Sequence, residues 1–236
     1  MPPPDELTIL VPVDISITET PSLAVVDLLG SIDVVLLGYF PVPDQAAPAL
    51  IRGEHEAAAE ARLRELAEGR PDLTEVLVFT HDREATIDRV ADEFGCDAVL
   101  TPGDLTEIDR ILVPIRGDVN LERIVSVTAG LVQATGATVT LFHALPDDED
   151  RSAGEFLLRG ATDRLVEFGV DEADVVWQLT DGGDPRRDIV DLGADYDIAV
   201  LGESEPTLRE RIIGDVLSEI VDDLEPPALV VRDVDA

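Results

Sequence analysis

A six-residue apolar run occurs twice in this chain: Ile9-Leu10-Val11-Pro12-Val13-Asp14 returns as Ile111-Leu112-Val113-Pro114-Ile115-Arg116, 102 residues later. Runs this short and this rich in β-branched residues suit strands buried on both faces, as in a parallel sheet. Three further pairs follow in the same order: Val35–Phe40 with Thr138–His143, Glu75–Thr80 with Asp174–Thr180, and Asp97–Thr101 with Asp197–Gly202. Four ordered pairs imply a duplicated unit and exclude a fold built on one unrepeated core.

Between these strands the apolar spacing turns helical. Helices are expected over Ala49–Glu68, Arg83–Phe94, Leu121–Ala134, Ser152–Phe168, from Pro185 to Gly193, and over Ile212–Leu224, most of them stopped by Gly or Pro. Strand, helix, strand, helix, strand, helix, strand, read twice over, implies right-handed crossovers and a sheet covered on both faces. The copies are unequal. The second continues through a loop and a helix to a last strand, Ala228-Leu229-Val230-Val231-Arg232. In the first, only ten residues separate Leu100 from Ile111, too few for those elements. The expected organisation is an α/β chain of two tandem open parallel-sheet domains, a truncated one at 1–106 and a complete one at 107–236. The lone terminal strand is expected to pair by edge addition, across domains or across chains.

Composition narrows the function classes. There are 51 acids and 17 bases among 236 residues, a formal charge of −34, yet 45% of residues are hydrophobic, so the chain can fill a core. Such a charge repels nucleic acid and anionic membrane, no apolar run reaches the ~18 residues of a membrane span, and the acidic, proline-rich N-terminus is unlike a signal peptide. One cysteine, Cys96, excludes an internal disulfide and fits a reducing cytoplasm. Every base is Arg, and Asp (30) exceeds Glu (21). This surface resembles that of proteins from organisms with molar intracellular salt, where screening shortens to ~3 Å.

The strand ILVPVD, Gly183-Asp184-Pro185 after the third strand, Tyr196-Asp197-Ile198-Ala199-Val200-Leu201-Gly202, and Ile212-Ile213-Gly214-Asp215-Val216 before Pro227–Arg232 together resemble the universal stress protein (UspA-like) family. The resemblance covers nearly the whole chain as a tandem pair, more strongly in the second half. It implies a Rossmann-like, adenine-nucleotide alpha-hydrolase-like fold, often dimeric, in which some members bind ATP. The tandem copies are then expected to form an internal pseudo-dimer, with a homodimer possible. A transporter's cytoplasmic face is the partner class it implies, with no membrane insertion and no nucleic acid.

The family-equivalent nucleotide positions are Asp14 in the first half and Val113, Arg116, Gly202, Gly214 and Asp215 in the second. In nucleotide-binding members a Gly-x-x-Gly-x9-Gly-Ser/Thr loop cradles the phosphates at a helix N-terminus. The first half keeps Asp14 and Ser16, but Thr101-Pro102-Gly103-Asp104 is a stub of that loop. The second half puts Glu205 at the second Gly and Asp215 at the Ser/Thr, adds Glu203, and replaces the nucleoside-side Asp with Arg116. Carboxylates there would face phosphate oxygens, so a degenerate site without ATP or AMP is expected. Arg116, with Arg186, Arg187, Arg209 and Arg211, either captures another anion or pairs with acids such as Asp118 and Glu203.

Other chemistry is sparse. His55, His81 and His143 show no metal-ligand spacing with Cys96. Glu93 and Asp97 beside Cys96 disfavour a thiolate. The run Asp147–Asp150 reads as a solvated turn, and Trp177 with the Phe residues as core. A regulatory or association protein without turnover is expected. A nucleotide or anion sensor is the alternative, and an ATP-hydrolysing enzyme of the related superfamily is disfavoured.

Overall fold

The computed structural model describes residues 7–17, 24–29, 32–70, 73–101, 105, 107–117, 120–145, 150–181, 184–203, 220–221 and 223–233. In chain order the first half forms β1 (Thr8–Asp14), α1 (Ala24–Leu28), β2 (Asp33–Pro41), α2 (Pro48–Ala67), β3 (Thr74–Thr80), α3 (Arg83–Glu93) and β4 (Ala98–Leu100). The second forms β5 (Arg110–Pro114), α4 (Leu121–Thr135), β6 (Thr138–Leu145), α5 (Arg151–Glu167), β7 (Val175–Asp181), α6 (Pro185–Gly193) and β8 (Ile198–Gly202), and β9 (Ala228–Val231) closes the chain.

The two expected sheets are one. Nine strands run in the order β3-β2-β1-β4-β9-β8-β5-β6-β7. Each half is parallel throughout, and β9 continues the second half in parallel with β8, from Ala199↔Ala228 to Gly202↔Val231. On its other edge β9 is antiparallel to β4, from Ala98↔Val231 to Leu100↔Leu229. The terminal strand thus pairs across the halves, and the sheet departs from the all-parallel expectation at that one junction.

The duplication is visible in the ladders. Ile9 pairs with Val34 and Ala98, as Ile111 pairs with Val139 and Ile198. A matching aspartate opens each fourth strand. Asp97 accepts the Thr8 N–H at 3.0 Å, and Asp197 accepts the Arg110 N–H at 2.8 Å. The second pair of strands is offset from the sequence reading: Val34, not Leu36, stands where Val139 stands, so Val35 corresponds to Thr140 and not to Thr138. Side chains alternate between the two faces along each run, so a two-residue slip keeps every one on its face.

Alternation along each strand builds cores on both faces. On one face Ile9, Val11, Leu36, Ile111, Val113, Leu141, Val200, Leu229 and Val231 join Ala59 and Leu63 of α2 and the apolar stripes of α4 and α5 in one cluster spanning both halves. The other face holds two separate clusters. One is Leu10, Val35 and Leu37 under Ile87 and Val90 of α3. The other is Leu112, Phe142 and Leu201 with Ile220 and Leu224. The shared face explains why the molecule is one body: neither half covers that side alone.

Several aromatic side chains depart from the core assignment. Phe142 and Phe168 are buried, but Trp177 is 40% exposed, Phe94 39% and Phe156 79%. Trp177 lies on β7, the outer strand of the sheet, where no strand among the described residues lies beyond it. Phe156 lies on α5, whose buried residues are Gly154, Leu158, Ala161 and Leu165.

Candidate functional site

Doubly wound sheets bind ligands beyond the carboxyl ends of their strands, where the strand order reverses. Because β4 and β9 are antiparallel, the two halves point opposite ways. The carboxyl ends of β5 and β8 lie beside the amino ends of β1 and β4, and the two clefts open at opposite ends of the sheet.

In the first cleft Asp14 ends β1, and its Oδ1 accepts both the Ser16 N–H (2.8 Å) and the Ser16 hydroxyl (2.7 Å). Tyr39, paired with Asp14 in the ladder, carries the Arg83 guanidinium 5.6 Å from its ring centre. Burial raises the Tyr39 phenol above its ordinary pKa; Arg83 opposes this and Asp14 adds to it. The stub after β4 is closed on β9. Thr101 donates its N–H (2.9 Å) and hydroxyl (3.2 Å) to the Ala228 carbonyl, and the Ala228 N–H donates to Thr101 Oγ1 at 2.7 Å. The position that would open a phosphate loop is here a staple between the halves.

In the second cleft Val113 is wholly buried in the shared core, leaving no side-chain atom at the surface. Arg116 is exposed just past β5 and makes no ion pair among the described residues. Asp118, Glu205, Arg209, Arg211, Gly214 and Asp215 lie outside the described residues, as does the run 147–149. Gly202 is fixed by packing, because a Cβ there would overlap Ile124 Cδ1 and lie 3.0 Å from its Cγ1. Arg186 is paired with Asp223 at 2.7 Å and Arg187 with Asp191 at 3.5 Å.

Glu203 follows Gly202, with its N–H donated to the Val231 carbonyl and its Oε2 accepting the Asp233 N–H at 2.9 Å. Burial raises its pKa, partly offset by that hydrogen bond and by Arg232. Arg232 is the centre of a cluster that sequence reasoning missed. Its side chain is 11% exposed, Nη2 donates to Asp92 Oδ1 at 2.7 Å, and Nη1 is buried without a partner among the described residues. Asp88 on α3 is pushed up to about 6, first by burial and then by Glu203, Asp92 and Glu84, with Arg232 opposing. Cys96 is also wholly buried here, not partly as the sequence suggested. Burial pushes its thiol up to about 11, with Arg232 opposing and Asp97 adding. Asp97 contributes to the raised thiol as expected, but burial leads and Glu93 takes no part.

The cluster joins α3 of the first half, the end of β8 and the end of β9. Its signals in the sequence are Asp88 and Asp92 one helical turn apart and an Arg closing an apolar strand. Nothing local links them. His81 Nδ1 lies 3.1 Å from the Val42 carbonyl oxygen and His143 Nδ1 lies 2.6 Å from that of Ile115, contacts suited to holding loops and strand ends in place. No group of His, Cys, Asp and Glu among the described residues is arranged to hold a metal ion, and no helix among them is long and apolar enough to cross a membrane.

A family model described as the universal stress protein family matches residues 107–232. A search of curated proteins finds no match. Among solved structures, a universal stress protein from Archaeoglobus fulgidus is similar at TM-score 0.65 and 14% identity, over 95% of this chain and 98% of that one. A putative universal stress protein from Pseudomonas aeruginosa gives 0.64 and 17%, over 97% and 94%. The cytoplasmic domain of a prokaryotic cation chloride cotransporter gives 0.50 and 12%, over 97% and 96%. At these identities the likeness is one of fold.

Proposed function

Since the chain belongs to the universal stress protein family, we propose that it acts by association and regulation, without catalytic turnover, and that its second cleft is a degenerate nucleotide site. The observation that carries this reading is Glu203. It puts a carboxylate directly after the β8 glycine, held by the Asp233 N–H and facing Asp92 and Asp233. A polyphosphate entering there would meet like charge in a partly desolvated place, where salt screens least. Gly202, where a Cβ would overlap the Ile124 side chain, has a packing role that does not call on a phosphate.

A second reading is favoured by Arg116. It is exposed at the carboxyl end of β5, without an ion pair among the described residues, in a chain where most other arginines are paired. Such a group suits bidentate capture of a small anion or a mononucleotide phosphate. The −34 charge and the absence of lysine support a cytoplasm of molar salt as the working medium. A transporter's cytoplasmic face is the partner class in keeping with the family.

The test is purification in 2 M KCl followed by mass spectrometry of released small molecules. The regulatory reading expects no stoichiometric nucleotide. ATP or AMP at one per chain, lost in Arg116→Ala, would replace it with the sensor reading.

A further inference from the structure

Among the described residues both outer edges of the sheet lack a strand partner, and the two differ in what surrounds them. At one end β7 presents Val176 and Trp177 to solvent. At the other, β3 forms the floor of a groove of about 380 Å³ lined by Pro48, Ala49, Arg52, Leu77, Val78, Phe79 and Arg89. The groove wraps the strand edge. Leu77 and Phe79 belong to the face covered by α2, and Val78 to the face covered by α3. Arg52 of α2 lies over the Phe79 ring at 5.6 Å, and Phe79 is stacked on Phe40 at 5.0 Å. Arg89 of α3 lines the groove on the Val78 side.

We propose that this groove is a docking site for an extended acidic segment of a partner protein, which adds to the sheet along β3 and meets Arg52 and Arg89 with adjacent carboxylates. Three features support that occupant. An edge strand leaves alternate N–H and C=O groups unpaired along its outer side, which only another extended backbone fills in full. In an added strand successive side chains point to opposite faces, so two neighbouring acids reach the two arginines, one on each side of the sheet. Among the described residues, both arginines pair only with a glutamate one turn along their own helix, Arg52 with Glu56 at 3.0 Å and Arg89 with Glu93 at 3.3 Å. All four side chains are at least 45% exposed, and such pairs are weak and readily exchanged. In a chain of net charge −34, the charged residues lining this apolar groove are both arginines. The proposal is independent of what either cleft binds.

The probe is a fluorescein-labelled eight-residue peptide of valines and threonines around a central Glu-Asp pair, titrated by anisotropy in 1 M KCl. At that salt the long-range repulsion is screened to ~3 Å. Binding is expected, at least tenfold weaker for the Gln-Asn peptide and for the Arg52→Gln, Arg89→Gln double variant, and lost when alternate peptide nitrogens are methylated. Both substitutions are at exposed positions, and circular dichroism confirms the fold. Absence of binding at 1 mM peptide overturns the proposal, as does binding indifferent to the acids, to the arginines or to methylation. A dimer by light scattering that the double variant abolishes would assign the groove to a second copy instead, and also overturn it.

Discussion

The first half and the second half carry the same four-strand ladder, Ile9 matching Ile111 and Asp97 matching Asp197, yet they differ in what surrounds it. Among the described residues, the chain forms the five-residue α1 between β1 and β2 and the fifteen-residue α4 between β5 and β6, whose seven buried side chains help fill the shared core. After β4 the first half stops at Thr101, whereas the second continues to β9. The shortened copy is not left with a bare edge, because β9 lies against β4 over three ladder pairs, beside the four it makes with β8, and Thr101 closes the seam. A repeat can lose its last strand when its twin supplies the covering edge.

The sharpest test of that view removes the shared strand. Ala228, Leu229, Val230 and Val231 are at most 4% exposed. At ~1.5–3 kcal/mol for each large side chain, deleting residues 227–236 is expected to cost 5 kcal/mol or more and to expose two sheet edges at once. Urea unfolding in high salt, followed by far-ultraviolet circular dichroism, should show both halves lost together. A surviving half with its own transition would break the comparison. Next in size, Gly202→Ala is expected to destabilise by about 1–3 kcal/mol through overlap with Ile124. Gly53→Ala, in the first half's α2 with nothing within 4 Å, should stabilise by up to ~1 kcal/mol. Thermal melts of the two variants read opposite signs if the halves are packed as described.

The matched aspartates give a finer contrast. Asp97 accepts from Thr8 N–H and from Arg123 of α4 at 3.2 Å, across the junction. Among the described residues, Asp197 accepts only from the Asp109 and Arg110 N–H groups within its own half. Asp97→Ala is expected to cost about 2 kcal/mol and Asp197→Ala about 1 kcal/mol. A double-mutant cycle with Arg123→Ala should couple to the first and not the second. Equal coupling would remove the junction from the account.

The smallest effect is in pH. Asp88 titrates near 6 in the fold and near its ordinary 3.8 when unfolded, so the folded state holds its proton more tightly. The resulting stability is present below about pH 4 and is lost as pH rises through about 6, and Glu203, also raised, acts in the same direction. Asp88→Asn should therefore raise stability at pH 7 by about 1 kcal/mol after discounting for solvent at this half-exposed carboxyl, and flatten the profile between pH 4 and 6. A decrease would mean that the attraction of the nearby Arg232 charge outweighs burial.

The strands were legible because a run such as Ile9–Val13 has no other good use, and five of the helices because their apolar spacing ended at Gly or Pro. What the sequence could not convey was partnership between distant segments. An apolar strand at 228–231 does not state that one of its neighbours is antiparallel, since both edges of a fully buried strand look alike. Phe156 and Trp177 read as core because an aromatic residue does not say whether its strand or helix face has a neighbour. Gly202 was legible as a family position, but the reason for a glycine there, the Ile124 side chain, came from 78 residues away in sequence. The cluster at Arg232 was hidden in the same way, drawn from three elements in two halves.

The shared ninth strand also sets how the molecule responds to dilution. An assembly of two separate chains falls apart as concentration drops, and its members can trade places with relatives. Here the seam is closed within a single covalent molecule, so its integrity is the same at nanomolar and millimolar levels. No mixed pairing can replace one half with another.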